Sequence, residues 1–339
     1  MVSSPELIDV HTHVVPRELP GEPAGTASGR WPCVHCGKPG HATVMMGDKP
    51  FREIDDRSWD IGRRVADMDR DGVTAQVLSP MPELLSYWLD VGPATQLTRY
   101  VNGAIAEMVA SRPDRFYGLG SVPLQDPVAA AEELRRMKSD FGLCGVEVGS
   151  NVNGQYLGDK RFDPFFAAAE ELGMAIFVHA LHPRAAPHLA PRQNLVPFVA
   201  FPVDTAMCAA TLIADGVLDR FPGLRIGFSH GGGVLAPILH RMEHGWHASK
   251  GFGGTLPRSP KTYASRFFYD SLVYDHAYLR HLSDEVAPGQ VFLGTDYPYL
   301  IEQKEPAKFI ADGAAGTTHG GSLWSSSARR FLGMPPSSR

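Results

Sequence analysis

Short runs of apolar and β-branched residues recur along the chain, separated by longer amphipathic segments. Most of these runs are nearly continuous in apolar residues rather than alternating with polar ones, which is typical of parallel strands buried on both faces. There are eight: LIDVHTH (7–13), TAQVLSP (74–80), FYGLGSVP (116–123), LCGVEVGS (143–150), AIFVHA (175–180), RIGFSH (225–230), FFYDSLVY (267–274) and VFLGTDYP (291–298). The sequence therefore predicts eight strands of a parallel sheet.

Segments between the runs have helical periodicity. One apolar set follows i, i+3, i+4, i+7 spacing and ends before Gly173, namely Phe162, Phe165, Phe166, Ala169 and Leu172. Asp126–Pro127 and Asp163–Pro164 are typical helix starts, an acidic N-cap followed by proline. Eight strands alternating with helices predict an α/β fold, a (β/α)8 TIM barrel spanning residues 1–339 as a single domain. A doubly wound open sheet is the alternative, although no Gly-x-Gly-x-x-Gly follows a strand.

Residues 14–58 depart from this alternation. They are too long for an ordinary connection between a strand and a helix, and they are rich in proline and glycine. Their stretch ATVMMGDKPFREI predicts a small hairpin. Because long excursions in compact domains are often lids or binding loops, we expect a lid insertion after the first strand.

The composition is that of an ordinary globular protein, with 43% hydrophobic and 20% charged residues and a formal net charge of −5. No Lys/Arg block resembles a nucleic-acid-binding surface, and no signal-peptide pattern opens the chain. We find no uninterrupted apolar stretch of the roughly 18–20 residues that span a bilayer. Four cysteines in a chain this long do not indicate a disulfide scaffold. We expect a cytoplasmic protein that binds neither nucleic acid nor membranes.

Several of the 14 histidines stand where predicted strands end. His11 and His13 are two apart on one strand, so their side chains leave the same face and can meet one ion. His179, His230 and Asp296 end the fifth, sixth and eighth runs. The carboxyl ends of barrel strands form one face, so these five side chains are expected to converge. Because burying imidazoles and a carboxylate together is costly without a cation, the set predicts a site for a metal such as Zn²⁺.

These motifs resemble the amidohydrolase superfamily, which has Asp-x-His-x-His on strand 1, histidines on strands 5 and 6, and aspartate on strand 8. The resemblance is to its 2-amino-3-carboxymuconate 6-semialdehyde decarboxylase-like branch in particular, and it extends over nearly the whole chain. The matching stretches are IDVHTHVVP, MMGDKPFREI, SVPLQDP, YLGDKRFDPFFAAAEELGMAIFVHA, FSHGGG, LHRMEHGW and GTDYPY. The resemblance implies one divalent metal, usually zinc with Mn²⁺ as the alternative, and non-oxidative cleavage that releases CO2 from an unsaturated or aromatic carboxylic acid.

The resemblance also implies roles for individual residues. Those that match the metal ligands are His11, His13, His179 and Asp296. His230 matches the acid/base histidine, and we expect it to activate a water whose pKa the metal lowers from 15.7 to about 7. Together with His230, Asp296 is a predicted catalytic residue. Arg52 and Arg241 match arginines that grip the substrate's carboxylates, the second donated across a homodimer interface.

The chain departs from the family in two places beside the expected pocket. Ala180–Leu181–His182 stands where the family has Pro-Trp after the strand-5 histidine, and Asn194 stands where the next loop has an aromatic residue. The exact substrate therefore stays open.

Two other functions fit the same site. One is a metal-dependent hydrolase or hydratase of a small carboxylated substrate. Amide-hydrolysing relatives often carry a carboxylated lysine after the fourth strand, where this chain has Glu147, which favours one metal and opposes that branch. The other is a metal-stabilised barrel that only binds an acidic ligand, which His230 and the two arginines oppose.

The stretch CVHC (33–36), followed by His41, allows a second metal site. A single Cys-x-x-Cys without a second spaced pair is weak support for structural zinc. We favour an ordinary lid loop with reduced thiols and keep zinc at Cys33, Cys36 and His41 as the alternative.

Overall fold

The computed structural model describes residues 5–26 and 29–336. In this part of the chain there are thirteen β-strands. They are β1 (Ile8–Val14), β2 (Pro32–Cys36), β3 (His41–Met46), β4 (Lys49–Asp55), β5 (Ala75–Pro80), β6 (Phe116–Gly120), β7 (Gly145–Gly149), β8 (Asn151–Val152), β9 (Gln155–Tyr156), β10 (Ala175–His179), β11 (Arg225–Phe228), β12 (Phe268–Asp270) and β13 (Val291–Phe292).

The same residues contain twelve α-helices, most of them in the connections between barrel strands. They are α1 (Ile61–Asp71), α2 (Val91–Ser111), α3 (Pro127–Arg136), α4 (Asp163–Glu171), α5 (Phe201–Ala214), α6 (Val217–Arg220), α7 (Leu235–Ala248), α8 (Lys250–Gly253), α9 (Pro260–Ala264), α10 (His276–His281), α11 (Pro306–Ala314) and α12 (Ser326–Leu332).

Eight strands form the barrel, in the order β1-β5-β6-β7-β10-β11-β12-β13. The paired neighbours are parallel, and each of the eight predicted runs contributes one strand. The barrel closes where Val10 donates a backbone hydrogen bond to the Leu293 carbonyl at 2.8 Å and His13 donates one to the Tyr297 carbonyl at 2.8 Å. The predicted (β/α)8 barrel is therefore confirmed, and the open doubly wound sheet is excluded.

The amino-terminal end of the barrel is filled by apolar side chains. Phe331 of α12 packs against Phe177 and Phe292, with ring centroids 6.4 and 5.0 Å apart, and belongs to a buried apolar cluster with residues of six barrel strands. Arg225 at the start of β11 donates to the Phe331 carbonyl at 2.7 Å. With this end closed, a polar site has room only at the carboxyl ends of the strands.

A β-bulge interrupts β1 between Asp9 and Thr12. Val10 belongs to the apolar cluster inside the barrel, yet the His11 ring also faces the interior, with its centroid 5.1 Å from that of Phe177. Strict alternation would send Val10 and His11 to opposite faces, so the bulge re-aims the strand just where the polar site begins.

The predicted helix starts are confirmed at one position and corrected at the other. Asp126 caps α3 by accepting hydrogen bonds from the backbone amides of Val128 and Ala129. Asp163 is instead the first residue of α4, because the preceding residues Lys160–Phe162 already form a 3-10 turn that Asp159 caps. The apolar face predicted for this helix is buried, and Gly173 follows its end in a left-handed conformation with φ of 59°.

The insertion after β1 forms a three-stranded antiparallel sheet of β2, β3 and β4. The predicted hairpin is its β3–β4 part, and β2 adds a strand at the other edge of β3. Ala42, Val44, Met46 and Ile54 are buried and belong to the main apolar cluster of the barrel. The insertion is thus packed onto the barrel, with β4 carrying Arg52 along the rim.

One helical stretch, Gln193–Ala214, is long and apolar enough to cross a membrane by length and composition, with a mean hydropathy of 1.7. We expected no apolar stretch of that length. The stretch includes α5 and carries Asp204, whose buried carboxylate accepts hydrogen bonds from Ser150, Asn151 and Tyr156. These bonds tie the segment to the loop after β7, which is how a core helix of a barrel behaves.

Candidate metal centre and active site

Four of the predicted site residues meet at the carboxyl ends of the barrel strands. They are His11 and His13 of β1, His179 at the end of β10, and Asp296 in the stretch after β13. All four are buried, and one candidate ligand atom from each lies within 4.8 Å of the others. Sequence positions almost 300 residues apart are thus brought into one group, as the strand-end argument predicts.

The nitrogens of His11 and His13 approach each other and Asp296 closely. The two Nε2 atoms are 3.1 Å apart, and they lie 3.4 Å (His11) and 3.2 Å (His13) from Asp296 Oδ1. Burial opposes ionisation of Asp296, but the electrostatic influence of the neighbouring His11 and His13 imidazoles outweighs it and holds the pKa of Asp296 well below the usual value. The site therefore contains a carboxylate anion facing two imidazole nitrogens.

Each of the three histidines has an acceptor behind its ring. His11 Nδ1 lies 2.6 Å from Asp270 Oδ2, His13 Nδ1 lies 3.0 Å from the Pro80 carbonyl, and His179 Nδ1 lies 2.9 Å from the Ala180 carbonyl. An Nδ1–H donated to these acceptors leaves the Nε2 lone pair of each ring directed into the site, the tautomer that metal-binding histidines adopt.

A divalent cation satisfies atoms that otherwise stay unpaired. His179 Nε2 and Asp296 Oδ1 are buried and have no hydrogen-bond partner among the described residues, and the Nε2 atoms of His11 and His13 face each other. Three imidazoles and one carboxylate, each supported from behind, are a donor set suited to a divalent transition metal. The residues present therefore fit a metal.

Asp270 is a residue of this site that sequence reasoning missed. It ends β12 and, besides holding His11, accepts hydrogen bonds from the backbone amides of His230 at 2.9 Å and Gly231 at 2.7 Å. One carboxylate thus positions a candidate metal ligand and the candidate acid/base together. The sequence gives only a weak signal for it, because Asp270 lies in the middle of the seventh apolar run, FFYDSLVY, and the strand ends there only in the structure.

His230 lies beside the four-residue group. Its ring centroid is 5.0 Å from that of His179 and 5.4 Å from that of His11. Burial lowers the pKa of His230 to about 4, so its imidazole is neutral near pH 7 and can accept a proton. Its backbone has φ of 56°, a left-handed conformation that the hydrogen bonds donated by the His230 and Gly231 amides to Asp270 help to hold.

The three glycines after His230 let the chain pass close to its neighbours. A Cβ atom on Gly231 would lie 2.4 Å from Val273, and one on Gly233 would lie 1.9 Å from the Pro202 carbonyl oxygen. Both residues also have positive φ values. Glycine is therefore required here to bring the backbone around His230 into place.

A cavity of about 550 Å³ opens over this group. His179, His230 and Asp296 form part of its wall, and Arg52 joins them from the insertion. Arg52 lies over the Tyr299 ring at 4.2 Å and, within residues 5–26 and 29–336, has no carboxylate partner. Arg57, on the same wall, is instead bound by Asp55 and Glu302. The guanidinium of Arg52 is thus available to a ligand's anion.

Arg241 is not brought to this cavity in its own chain. It lies on α7, is exposed, and is absent from the cavity wall. The structure thus assembles six of the seven predicted site residues and leaves this one on the surface.

Glu147 lies on β7, the fourth barrel strand, which is where the metal-bridging lysine of amide-hydrolysing relatives was expected. Both carboxylate oxygens are buried, and Oε2 lies 3.7 Å from His13 Nδ1. Burial raises the pKa of Glu147 to about 8. The carboxylate lies outside the group of four ligand atoms, which agrees with one metal.

The cysteines of the insertion do not form a second site among the residues that the structure describes. Cys33 and Cys36 are three apart on β2, so their side chains point to opposite faces of the strand. Cys33 Sγ lies 3.6 Å from His35 Nε2, and His41 lines the main cavity instead. The geometry thus favours reduced thiols over structural zinc.

Fold and site together define a barrel protein with a buried group of three histidines and one aspartate, suited to a divalent metal, at the carboxyl ends of its strands. The family model described as "Amidohydrolase" matches residues 8–324, and the chain belongs to this family.

Full-length relatives place the chain on a decarboxylase branch of that family. It is 36% identical to a 2-amino-3-carboxymuconate-6-semialdehyde decarboxylase of Dictyostelium discoideum, over 97% of this chain and 92% of the relative. It is 26% identical to the enzyme of the same name from Caenorhabditis elegans, over 90% of this chain and 88% of the relative.

Solved structures of decarboxylases have the same fold as this chain. A 5-carboxyvanillate decarboxylase from Sphingomonas paucimobilis superimposes with a TM-score of 0.81, at 26% identity over 98% of this chain and 100% of the other. A second structure is that of a dihydroxybenzoic acid decarboxylase from Polaromonas sp. JS666, solved with bound manganese and the inhibitor 2-nitroresorcinol. It superimposes with a TM-score of 0.74 at 25% identity, over 82% of this chain and 87% of the other.

Proposed function

We propose that the protein is a metal-dependent, non-oxidative decarboxylase of a small unsaturated or aromatic carboxylic acid. The observation that carries the proposal is the buried group of His11, His13, His179 and Asp296 at the barrel mouth, beside an arginine without an ion-pair partner in the described chain. The 36% identity to a decarboxylase over nearly the full chain supports the reaction class.

We propose Zn²⁺ as the metal, because three imidazoles and one carboxylate form a common zinc donor set. Mn²⁺ is the alternative, supported by the manganese in the relative from Polaromonas. Bound there, a divalent cation supplies Lewis acidity that stabilises negative charge beside the reacting carbon. Metal analysis of the purified protein distinguishes the two.

His230 is the proposed acid/base. Its neutral imidazole takes a proton from water and delivers it to the carbon that loses CO2, and the hydroxide left behind takes up a proton from the solvent. The bond between that carbon and the carboxylate breaks, CO2 leaves, and the electron pair that stays on carbon takes up the proton. Ser229 Oγ lies 3.1 Å from His230 Nδ1, and it can hold the ring in the required orientation.

Arg52 is the proposed carboxylate-binding residue. A guanidinium can bind a carboxylate through two parallel hydrogen bonds, which a lysine ammonium cannot. Stacking on Tyr299 holds the planar group over the cavity.

Arg241 is proposed to enter the cavity of the partner in a homodimer, which suits its exposed position on α7. A mixing experiment tests this. Arg52→Ala and Arg241→Ala are each expected to lose turnover, whereas subunit exchange between them restores about a quarter of the sites, because one site of each mixed dimer then keeps both arginines. A mixture as inactive as its components would place Arg241 outside the site.

The experiment that tests the function is CO2 release from a panel containing 2-amino-3-carboxymuconate 6-semialdehyde and several hydroxybenzoates, with and without a chelator. Chelator-sensitive CO2 from one acid is the expected result. A metal-loaded protein that releases no CO2 but hydrates or hydrolyses a carboxylated compound would favour the hydrolase or hydratase. We further propose that the protein is cytoplasmic.

A further inference from the structure

The cavity wall carries one carboxylate that the proposed function does not use. Glu83 lies in the 3-10 turn Pro82–Leu85 that follows β5, and its side chain is only 15% exposed. It lines the same cavity as Arg52, His230 and Asp296. Of the other two acidic side chains on the wall, Asp55 is bound by Arg57 and Glu53 is exposed at the mouth.

His182 is the polar neighbour of Glu83. Its Nε2 lies 3.6 Å from Glu83 Oε1, which is within ion-pair range but too long for a hydrogen bond. No side chain of the described chain donates a hydrogen bond to this carboxylate. Glu83 therefore presents unused acceptor capacity to the cavity.

The loop after β10 and a tryptophan hold His182 in place. The His182 backbone has φ of 43°, and its ring stacks on Trp88 with centroids 5.1 Å apart and an angle of 29°. The Arg30 guanidinium also lies over the Trp88 ring, at 4.4 Å.

We propose that Glu83 is a specificity-determining residue, which accepts a hydrogen bond from an amino or hydroxyl group on the substrate acid, and that His182 is its positioning residue. This inference rests on the proposed function, because it assumes that Arg52 binds the carboxylate of the same ligand. Arg52 then binds the carboxylate of the ligand, and Glu83 accepts a hydrogen bond from a donor group on the same ligand. The substrate class that fits both is an amino- or hydroxy-substituted acid.

The physical reason is the cost of an unpaired charge. A ligand that fills the cavity removes water from Glu83, and the carboxylate then needs a donor to replace that water. A site with such a buried acceptor discriminates strongly against a ligand of similar shape that lacks the donor.

The test measures binding rather than turnover. Dissociation constants of 2,6-dihydroxybenzoate and 2,6-difluorobenzoate are determined with the metal-loaded protein, since the two acids differ little in shape but only the first has hydroxyl donors. We expect the unmodified protein to prefer the dihydroxy acid by about 30-fold. Glu83→Gln, which keeps the shape but removes the anion, should reduce the preference to about threefold.

Glu53→Gln is the matched control, because it removes a carboxylate from the mouth of the same cavity, and it should keep the preference of the unmodified protein. Arg52→Ala should weaken both acids together, which separates carboxylate binding from donor recognition. The measurement is of binding and does not need turnover. A failure to release CO2 would therefore contradict the proposed function, but it would leave the role of Glu83 to be decided by the binding data.

Two variants test His182. His182→Gln keeps an N–H that can face Glu83, and it should keep most of the preference. His182→Phe keeps a ring to stack on Trp88 but has no N–H, and it should lose the preference as Glu83→Gln does.

Four results would overturn the proposal: equal binding of the two acids by the unmodified protein, binding of neither, an unchanged preference in Glu83→Gln, or an equal loss for both acids in that variant. If His182→Gln and His182→Phe show the same preference for the dihydroxy acid, His182 does not position Glu83.

Discussion

The metal centre and the wall of the cavity above it are built in different ways. Each candidate ligand histidine sits on a barrel strand and has a fixed acceptor behind its ring, such as Asp270 for His11. Much of the wall is made by the insertion and by the loops after the strands, and its charged groups are held in several ways: Arg52 stacks on Tyr299, whereas Arg57 is bound by Asp55 and Glu302. In the proposed function the barrel supplies the reaction, and we expect the loops to decide the choice of substrate.

The largest effect is expected from removing a ligand of the metal. His179→Ala should bind no stoichiometric metal and show no turnover, because the three remaining side chains leave the cation short of a donor. Metal analysis after desalting, together with a CO2 assay, measures both. If the variant keeps a full metal content, the ligand set is wrong.

A smaller loss is expected when the metal stays and the acid/base is removed. His230→Gln should lower turnover by about 10²- to 10⁴-fold, because the amide cannot transfer a proton, while the metal content stays at that of the unmodified protein. Unchanged turnover would exclude His230 from proton transfer. A parallel loss of metal would instead make it a ligand.

Asp270 tests whether the support behind the ligands matters as much as the ligands themselves. Asp270→Asn keeps the shape but weakens the acceptor for His11 Nδ1–H, and it should reduce metal affinity by about 10- to 100-fold. Competition with a chelator of known affinity measures this. An unchanged metal affinity would show that the strand alone fixes His11.

The smallest effect is expected in the insertion. Cys33→Ser and Cys36→Ser together should change the free energy of unfolding by no more than about 0.5 kcal/mol, because the two thiols are at least partly exposed and share no ligand site. Denaturant unfolding measures the difference. A large loss, or a second equivalent of zinc lost with the cysteines, would restore the metal site that the geometry disfavours.

The barrel and most of its site could be predicted from the sequence for one physical reason. Strands buried on both faces leave nearly continuous apolar runs, which are local features of the chain. Parallel strands end on the same face, so a polar residue at the end of a run is placed without knowing its partners. That argument predicted that His11, His179 and Asp296 converge, and the structure brings them together. It did not single out Asp270, because this residue lies in the middle of the apolar run FFYDSLVY and is marked as a strand end only by the observed end of β12.

What the sequence by itself determined is therefore the fold, the face on which the site lies and the residues able to bind a metal. The tertiary structure decided which charges are available there. Arg52 and Arg57 are five positions apart on one wall, but Glu302, 245 residues beyond Arg57, helps to bind only the latter. Likewise Glu83 and His182 meet only because the loops after β5 and β10 fold over the same cavity. Charge pairing depends on distances between segments remote in the chain, and local patterns carry no such distances.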